Sequence, residues 1–228
     1  MSSAIDLSPL WISLETAAAT IAIVFVLGVV AAWWVERLSS EKAKILIDGI
    51  FTLPMVLPPT VAGFFLLVIF GNNRLVGRFF IDSFGVQIAF SWLATVLAAG
   101  VISFPLMYRS ARGALMQVDK GIMEAGRSLG MTEWRIFWRL HLPNAFPGII
   151  AGGLLAFARG LGEFGATAML AGNIAGKTRT LPLAVYSAVA AGDFDSAGVY
   201  VLIIVTICLA VVIGLNYYQH YMKKRMEE

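Results

Sequence analysis

The chain has 228 residues, of which 59% are hydrophobic and only 14% charged, with a mean hydropathy of +0.81 and a formal net charge of +3. Soluble domains carry about 25% charged residues, and a water-soluble fold of this length has too little interior for so much apolar surface. The composition therefore excludes an ordinary soluble domain and calls for a bilayer. The basic balance is no nucleic-acid signature either, because Lys and Arg cluster between long apolar runs, as membrane anchors do.

A helix needs about 20 mainly apolar residues to cross the hydrocarbon. Residues 11–35 supply the first such run. It lacks a basic leader, since only Asp6 and Glu15 carry side-chain charge before Glu36, and it is long for a signal sequence, so it is expected to be a retained span. Residues 50–70 form a second run containing Pro54, Pro58 and Pro59. Prolines remove helix hydrogen bonds and clash with the preceding turn, so this span should be bent or locally unwound. Such backbone must face protein or a water-filled cavity; the two readings are a kink for packing and a wall of the pore. Residues 88–107 are the third run.

The central loop, residues 108–144, is neither apolar enough to cross nor polar enough to be disordered. A short helix is expected from Lys120 to Leu129, broken at Gly130, which readily takes a left-handed turn. Thr132 is the expected N-cap of a second short helix carrying Trp134, Phe137 and Trp138, and Pro143 suits the start of the next span. The residues alone allow an elbow lying on the membrane, with Trp at headgroup depth and Arg reaching lipid phosphate, or a docking element.

The fourth run covers residues 145–170. Gly148, Gly152, Ala156 and Gly160 recur every four residues, a ridge of small side chains that lets helices approach closely in lipid. The same run carries Arg159 and Glu163, four apart. Arg159 is roughly 22 Å along the helix from Asn144, and an isolated charge at such depth costs at least about 2.5–3.5 kcal/mol. It is either a self-neutralising pair or an arginine facing the pore, held by the glutamate. Residues 181–191 are apolar but too short to cross, and should form a re-entrant piece; residues 199–217 are the fifth run.

The basic residues Arg37, Lys42, Lys44, Arg109, Arg112, Lys120, Arg127, Arg135, Arg139, Lys223, Lys224 and Arg225 fall on one side of five spans. Arg74, Arg78, Lys177 and Arg179 fall on the other. The imbalance puts the central loop and C-terminus in the cytoplasm, with the N-terminus and the 181–191 segment outside. Cys208 has no second thiol, and His141 and His220 have no ligand partners at metal-binding spacing.

The segment EAGRSLGMTEWRIFWRLHLP resembles the EAA loop of the permease subunits of prokaryotic ABC importers. Glu124 and Ala125 stand at its first two positions, Gly126 replaces the second alanine, Gly130 is its glycine, and Leu140, Leu142 and Pro143 close it. The resemblance implies that this helix seats in a groove of a separate ATPase subunit, with a small Ala125–Gly126 face and Glu124 meeting a basic or amide partner. Three further runs, LPMVLPPTVAGFFLL, FSWLATVLAAGVISFPLMYRSARGAL and ARGLGEFGATAMLAGNIAGKTRTLPLAVY, are similar to molybdate permeases, with sulfate and tungstate permeases as relatives.

The resemblance implies one all-α transmembrane domain over residues 1–228, of the type I ABC importer fold. It would have about five spans, a short external re-entrant helix and a cytoplasmic coupling elbow. No Gly-x-x-x-x-Gly-Lys-Ser/Thr phosphate loop occurs, so ATP and Mg would be bound by the partner ATPase, and this chain needs no cofactor or metal of its own. Five spans make a thin wall, so a two-fold homodimer is expected, with two ATPase subunits below and an external oxyanion-binding protein above. Candidate pathway residues are Pro58, Pro59, Thr60, Ser103, Arg159, Glu163 and Thr167, the hydroxyls and broken-helix amides serving as donors to an oxyanion. A secondary transporter would want internal repeats and mid-membrane coupling carboxylates. A membrane enzyme would want a nucleophile–base set. Neither is evident.

Overall fold

The first helix begins where Asp6 accepts hydrogen bonds from the Ser8 amide (2.8 Å) and hydroxyl (2.9 Å), and Pro9 occupies the first turn, where its missing N–H is harmless. In the computed structural model, which describes residues 5–227, regular structure is helical throughout. The order is α1 (Ser8–Glu36), α2 (Glu41–Val56), α3 (Pro59–Phe70), α4 (Leu75–Phe84), α5 (Trp92–Met116), α6 (Lys120–Ser128) and α7 (Glu133–Ile136). A π turn (Phe137–His141) follows, then α8 (Leu142–Leu161), α9 (Gly165–Leu170), α10 (Leu181–Ala190) and α11 (Phe194–Glu227).

Among the described residues, four stretches are long and apolar enough to cross a membrane, including Glu133–Leu161 running through the π turn, and α2 with α3 forms a broken fifth. The second span is bent by 110° between Val56 and Pro59. Leu57 and Pro58 each precede a proline, which drives a residue out of the helical region, and both are extended (ψ 141° and 133°). The fourth span departs from expectation at both ends. At its start it is continuous with the elbow. Pro143 cannot donate to a carbonyl one turn back, and the turn before it widens so that the Leu142 amide reaches Phe137 O, five residues earlier. At its end the helix stops at Leu161, and 165–170 form a separate helix. The third span runs on to Met116, nine residues past its expected end, because Arg112 on the extension is paired across the bundle.

The centre is α1, α5 and α8. The small-residue ridge of α8 lies along α5: a side chain at Gly148 would meet Ala114 Cβ at 2.8 Å, one at Gly152 would collide with Ser110, and Gly160 faces Ala99, Ser103 and Thr20. Across the α1–α5 seam, Thr16 and Thr95 share a hydrogen bond (2.8 Å) and the Thr20 hydroxyl donates to Val96 O (3.2 Å), polar fastening of the kind that holds helices together in lipid. The bundle has two distinct ends. At one, the Leu181 amide donates to Ser13 Oγ (2.7 Å) and the Tyr200 hydroxyl to Asp6 O (2.8 Å), so α10 and the start of α11 sit on the start of α1. At the other, the end of α1 meets the elbow through Trp33 and Phe137, ring centroids 4.8 Å apart. The short α10 is therefore at the end opposite the elbow, as the charge count requires.

Candidate functional site

Two regions bring candidate residues together. The first is the elbow. Asp119 caps α6 by accepting from the Gly121 amide (2.8 Å). After α6, Gly130 (φ +73°) takes the left-handed conformation, its amide bonding Arg127 O (2.9 Å) while the Met131 amide reaches back to Gly126 O (3.1 Å), closing the helix end. The Thr132 hydroxyl then caps α7 by accepting from the Arg135 amide (3.4 Å). Arg127 bridges both helices with a forked pair to Glu133, Nε–Oε1 at 2.7 Å and Nη2–Oε2 at 3.3 Å. That hydrogen bond holds the Glu133 carboxyl below the usual carboxylate range. His141 Nε2 lies 2.9 Å from Leu115 O, and the Trp33 ring packs on Phe137 and Trp134, so the elbow is strapped to α5 and α1.

Within this frame Glu124 and Ala125 are exposed on the outer side of α6, while Gly126 is buried and points inward. A side chain there would meet Leu140 Cδ1 at 2.8 Å and Ile136 Cγ1 at 3.2 Å. The smallness of the Ala125–Gly126 pair is thus divided: Ala125 leaves room for something outside, and Gly126 lets α6 close on its own neighbour. Leu140 closes that inner seam, and Leu142 and Pro143 form the first turn of α8.

The second region is the proline break. Arg159 Nη1 is 3.0 Å from Glu163 Oε2, and Glu163 Oε1 accepts from the Ala166 amide (2.9 Å). Glu163 is 2% exposed and its partner's side chain 38% exposed. The carboxylate is spent on the arginine and on the first turn of α9, whereas the guanidinium keeps an open side. That side lines a cavity of about 210 Å³ with Pro54, Met55, Leu57, Pro59, Ile102 and Leu106, and Arg159 is its one charged wall. The packing of α3 on α9 is tight. A side chain at Gly165 would meet Pro59 Cβ at 3.0 Å and the Thr60 amide at 3.1 Å, and one at Gly63 would meet Ala166 Cα at 2.7 Å.

Pro58, Pro59, Thr60, Arg159 and Glu163 therefore converge, and Thr167 is buried on α9 beside them. The Ser103 hydroxyl, by contrast, donates to Ala99 O (2.7 Å) within its own helix. A larger groove of about 590 Å³ lies between α1, α2 and α5. Its Thr20 hydroxyl is committed to Val96 O, and no lining residue carries a charge to meet an anion.

One cluster lay beyond the reach of sequence reasoning. Arg112 bonds Glu36 (2.6 Å) and Asp48 (2.7 Å), and the Tyr108 hydroxyl donates to Asp48 (3.0 Å), tying α5 to the end of α1 and to α2. The bonded partners are 60 to 76 residues apart along the chain, so no local spacing announces them.

The model of the family described as "Binding-protein-dependent transport system inner membrane component" matches residues 10–228. The chain is 44% identical over 208 residues to the molybdenum transport system permease protein ModB of Escherichia coli (strain K12), covering 90% of each. It is 41% identical over 200 residues to the putative molybdenum transport system permease protein YvgM of Bacillus subtilis (strain 168), covering 88% of each. A sulfate transport system permease protein CysT of Synechocystis sp. is 33% identical over 196 residues, 86% of this chain and 68% of that one. Among solved structures, an inward-facing form of the MetNI methionine ABC transporter superposes with a TM-score of 0.72 at 17% identity, covering 93% of this chain and 94% of the other. Its fold is that of an ABC importer membrane subunit. The elbow at one end, the broken second span and the matched length together make the chain a permease and a member of the binding-protein-dependent transport system inner membrane component family.

Proposed function

We propose that this permease imports a tetrahedral oxyanion, molybdate first among them, through a pathway on the axis of a homodimer. The observation that carries the oxyanion is Arg159, the one charged wall of the cavity at the proline break, its counter-charge turned away into α9. An arginine held from behind by a buried carboxylate offers a planar set of N–H donors without the freedom to collapse onto a nearer partner. Thr60 and Thr167, on the two helices that meet at the break, are the further donors of this reading. A weak site of this kind suits passage, because an ion must leave as well as enter. Tight capture is assigned to a separate external binding protein. The relatives named for molybdenum, at 39–44% identity against 33% for those named for sulfate, support molybdate over sulfate.

Energy comes from two ATPase subunits on the cytoplasmic side, which bind the ATP and Mg, since the chain carries no phosphate loop of its own. They seat against the outer face of α6, where Glu124 and Ala125 are exposed and Gly130, Leu140, Leu142 and Pro143 hold the helix in place. The N-terminus lies outside and the C-terminus within, as the basic residues require.

The test is ATP-dependent uptake of labelled molybdate into proteoliposomes holding the complete complex, with tungstate and sulfate as competitors. Molybdate and tungstate should compete closely and sulfate poorly; strong competition by sulfate would move the cargo to that anion. Arg159→Gln should abolish uptake while the complex still assembles, and unchanged uptake would reject the pathway. Glu124→Arg should release the ATPase during purification; an intact complex would reject the dock.

A further inference from the structure

From the elbow we infer a second binding face, distinct from the ATPase dock, that takes the headgroups of anionic phospholipids. The helical run from Glu133 to His141 has two sides. Phe137 is buried against the bundle and Ile136 against Gly126 of α6. The other side presents Trp134 (60% exposed) and Trp138 (50% exposed), interleaved with exposed Arg135 and Arg139. Two indoles and two guanidiniums alternate over one turn and a little more, each kind repeating at a spacing of four.

The chemistry of the neighbours makes this face distinctive. Arg127, Arg112 and Arg37 are each engaged, by Glu133, by Glu36 with Asp48, and by the Trp33 ring. Arg135 and Arg139 make no ion pair and no side-chain hydrogen bond among the described residues. Nothing in the fold uses their charge.

Position decides the partner. The same helix continues through the π turn into the membrane span, so its depth is set by the span. The helix ends at Leu161, and about 20 residues cross the hydrocarbon, so its other edge is near Leu142; Arg139 lies about 4–5 Å beyond it and Arg135 about 10 Å. Headgroups extend about 5–8 Å beyond the hydrocarbon on each side, and arginine side chains add reach along that direction. Indoles favour this layer, and basic residues there attract anionic lipid. The ATPase dock is on α6, which presents Glu124 and a small residue, a different chemistry on a different helix. The inference rests on the membrane placement and is independent of which anion is carried.

The experiment places the full chain in nanodiscs of phosphatidylcholine with a rising fraction of brominated phosphatidylglycerol and reads tryptophan emission. Brominated phosphatidylcholine at the same fractions gives the uncharged reference. The anionic quencher should act at lower fractions than the neutral one, and Trp134→Phe with Trp138→Phe should remove that excess. Each arginine replaced by glutamine should weaken the apparent lipid affinity about fivefold, whereas Arg135→Lys with Arg139→Lys should retain most of it. Should the double glutamine variant fail to fold, Arg139→Gln alone, at an exposed position, is read the same way. Equal quenching by the two lipids overturns the inference, as does an excess that survives both glutamines. So does loss of the ATPase from the Arg135→Gln, Arg139→Gln complex in lipid-free detergent, because the face would then be a protein interface.

Discussion

The elbow and the proline break are both joints, but they are built on opposite terms. The elbow is held by caps, a forked ion pair and a left-handed glycine, all at the surface, and it exposes Glu124, Trp134 and Leu129. The break is held by contact of backbone on backbone and by a glutamate 2% exposed, whose two oxygens are both used. Polar fastening in water is individually weak and can be rearranged, whereas close packing around a buried charge tolerates little change. On the proposed function, the elbow has to accept a partner and the break has to keep its arginine in place.

The comparison is tested most severely at Glu163. Replacing it by alanine strands Arg159 and leaves the Ala166 amide unsatisfied, so thermal unfolding in detergent should register a loss of about 3 kcal/mol. A shift close to zero would mean that the glutamate does not hold the arginine. Next comes a matched pair of glycines. Gly63→Ala forces a methyl against the Ala166 backbone and should cost about 1–3 kcal/mol. Gly126→Ala meets the far end of the Leu140 side chain, which can turn aside, and should cost much less in the same measurement. Equal losses would erase the proposed difference between the two joints.

At Gly130 a side chain meets nothing, so only backbone strain at φ +73° matters. Gly130→Ala should cost about 1 kcal/mol and show as faster amide exchange in α6. The smallest effect is a pH response of the elbow. Arg127 depresses the Glu133 carboxyl in the folded state, so the pair contributes fully above the ordinary glutamate pKa of about 4.3. That contribution is lost as pH falls through the lower folded value. Glu133→Gln should flatten amide exchange in α6 and α7 across that acid window; an unaltered acid response would assign it to another group.

How far these joints were visible in advance differs. The turn and second cap of the elbow are local, and Gly130 and Thr132 announce them at fixed offsets along the chain; the Asp119 cap came only with the structure. The proline break is also local, since Leu57 and Pro58 are each forced extended by the residue after them. The α8 ridge was legible because a spacing of four on a helix is a face, and that face lies on α5. The continuity of elbow and span was not legible, because Pro143 reads as a helix start, whereas the turn before it widens and Phe137 is held in the core of the bundle. The separate helix α9 was also missed. Gly162 and Glu163 sit within an apolar run, and the chain turns there because α3 presses on Gly165 and Glu163 caps the turn.

By itself the sequence determined the solvent, the number of apolar runs, the placement of the basic loops and the points where helices must start, stop or bend. These follow from composition and from constraints spanning a few residues. Tertiary structure alone decided which side of each helix is used. It turned Gly126 inward and left Ala125 outside, committed Ser103 to its own backbone, joined Arg112 to Glu36 and Asp48, and gave Arg159 a cavity to face. Facing is a property of neighbours brought together by packing from distant parts of the chain, and no local spacing encodes it.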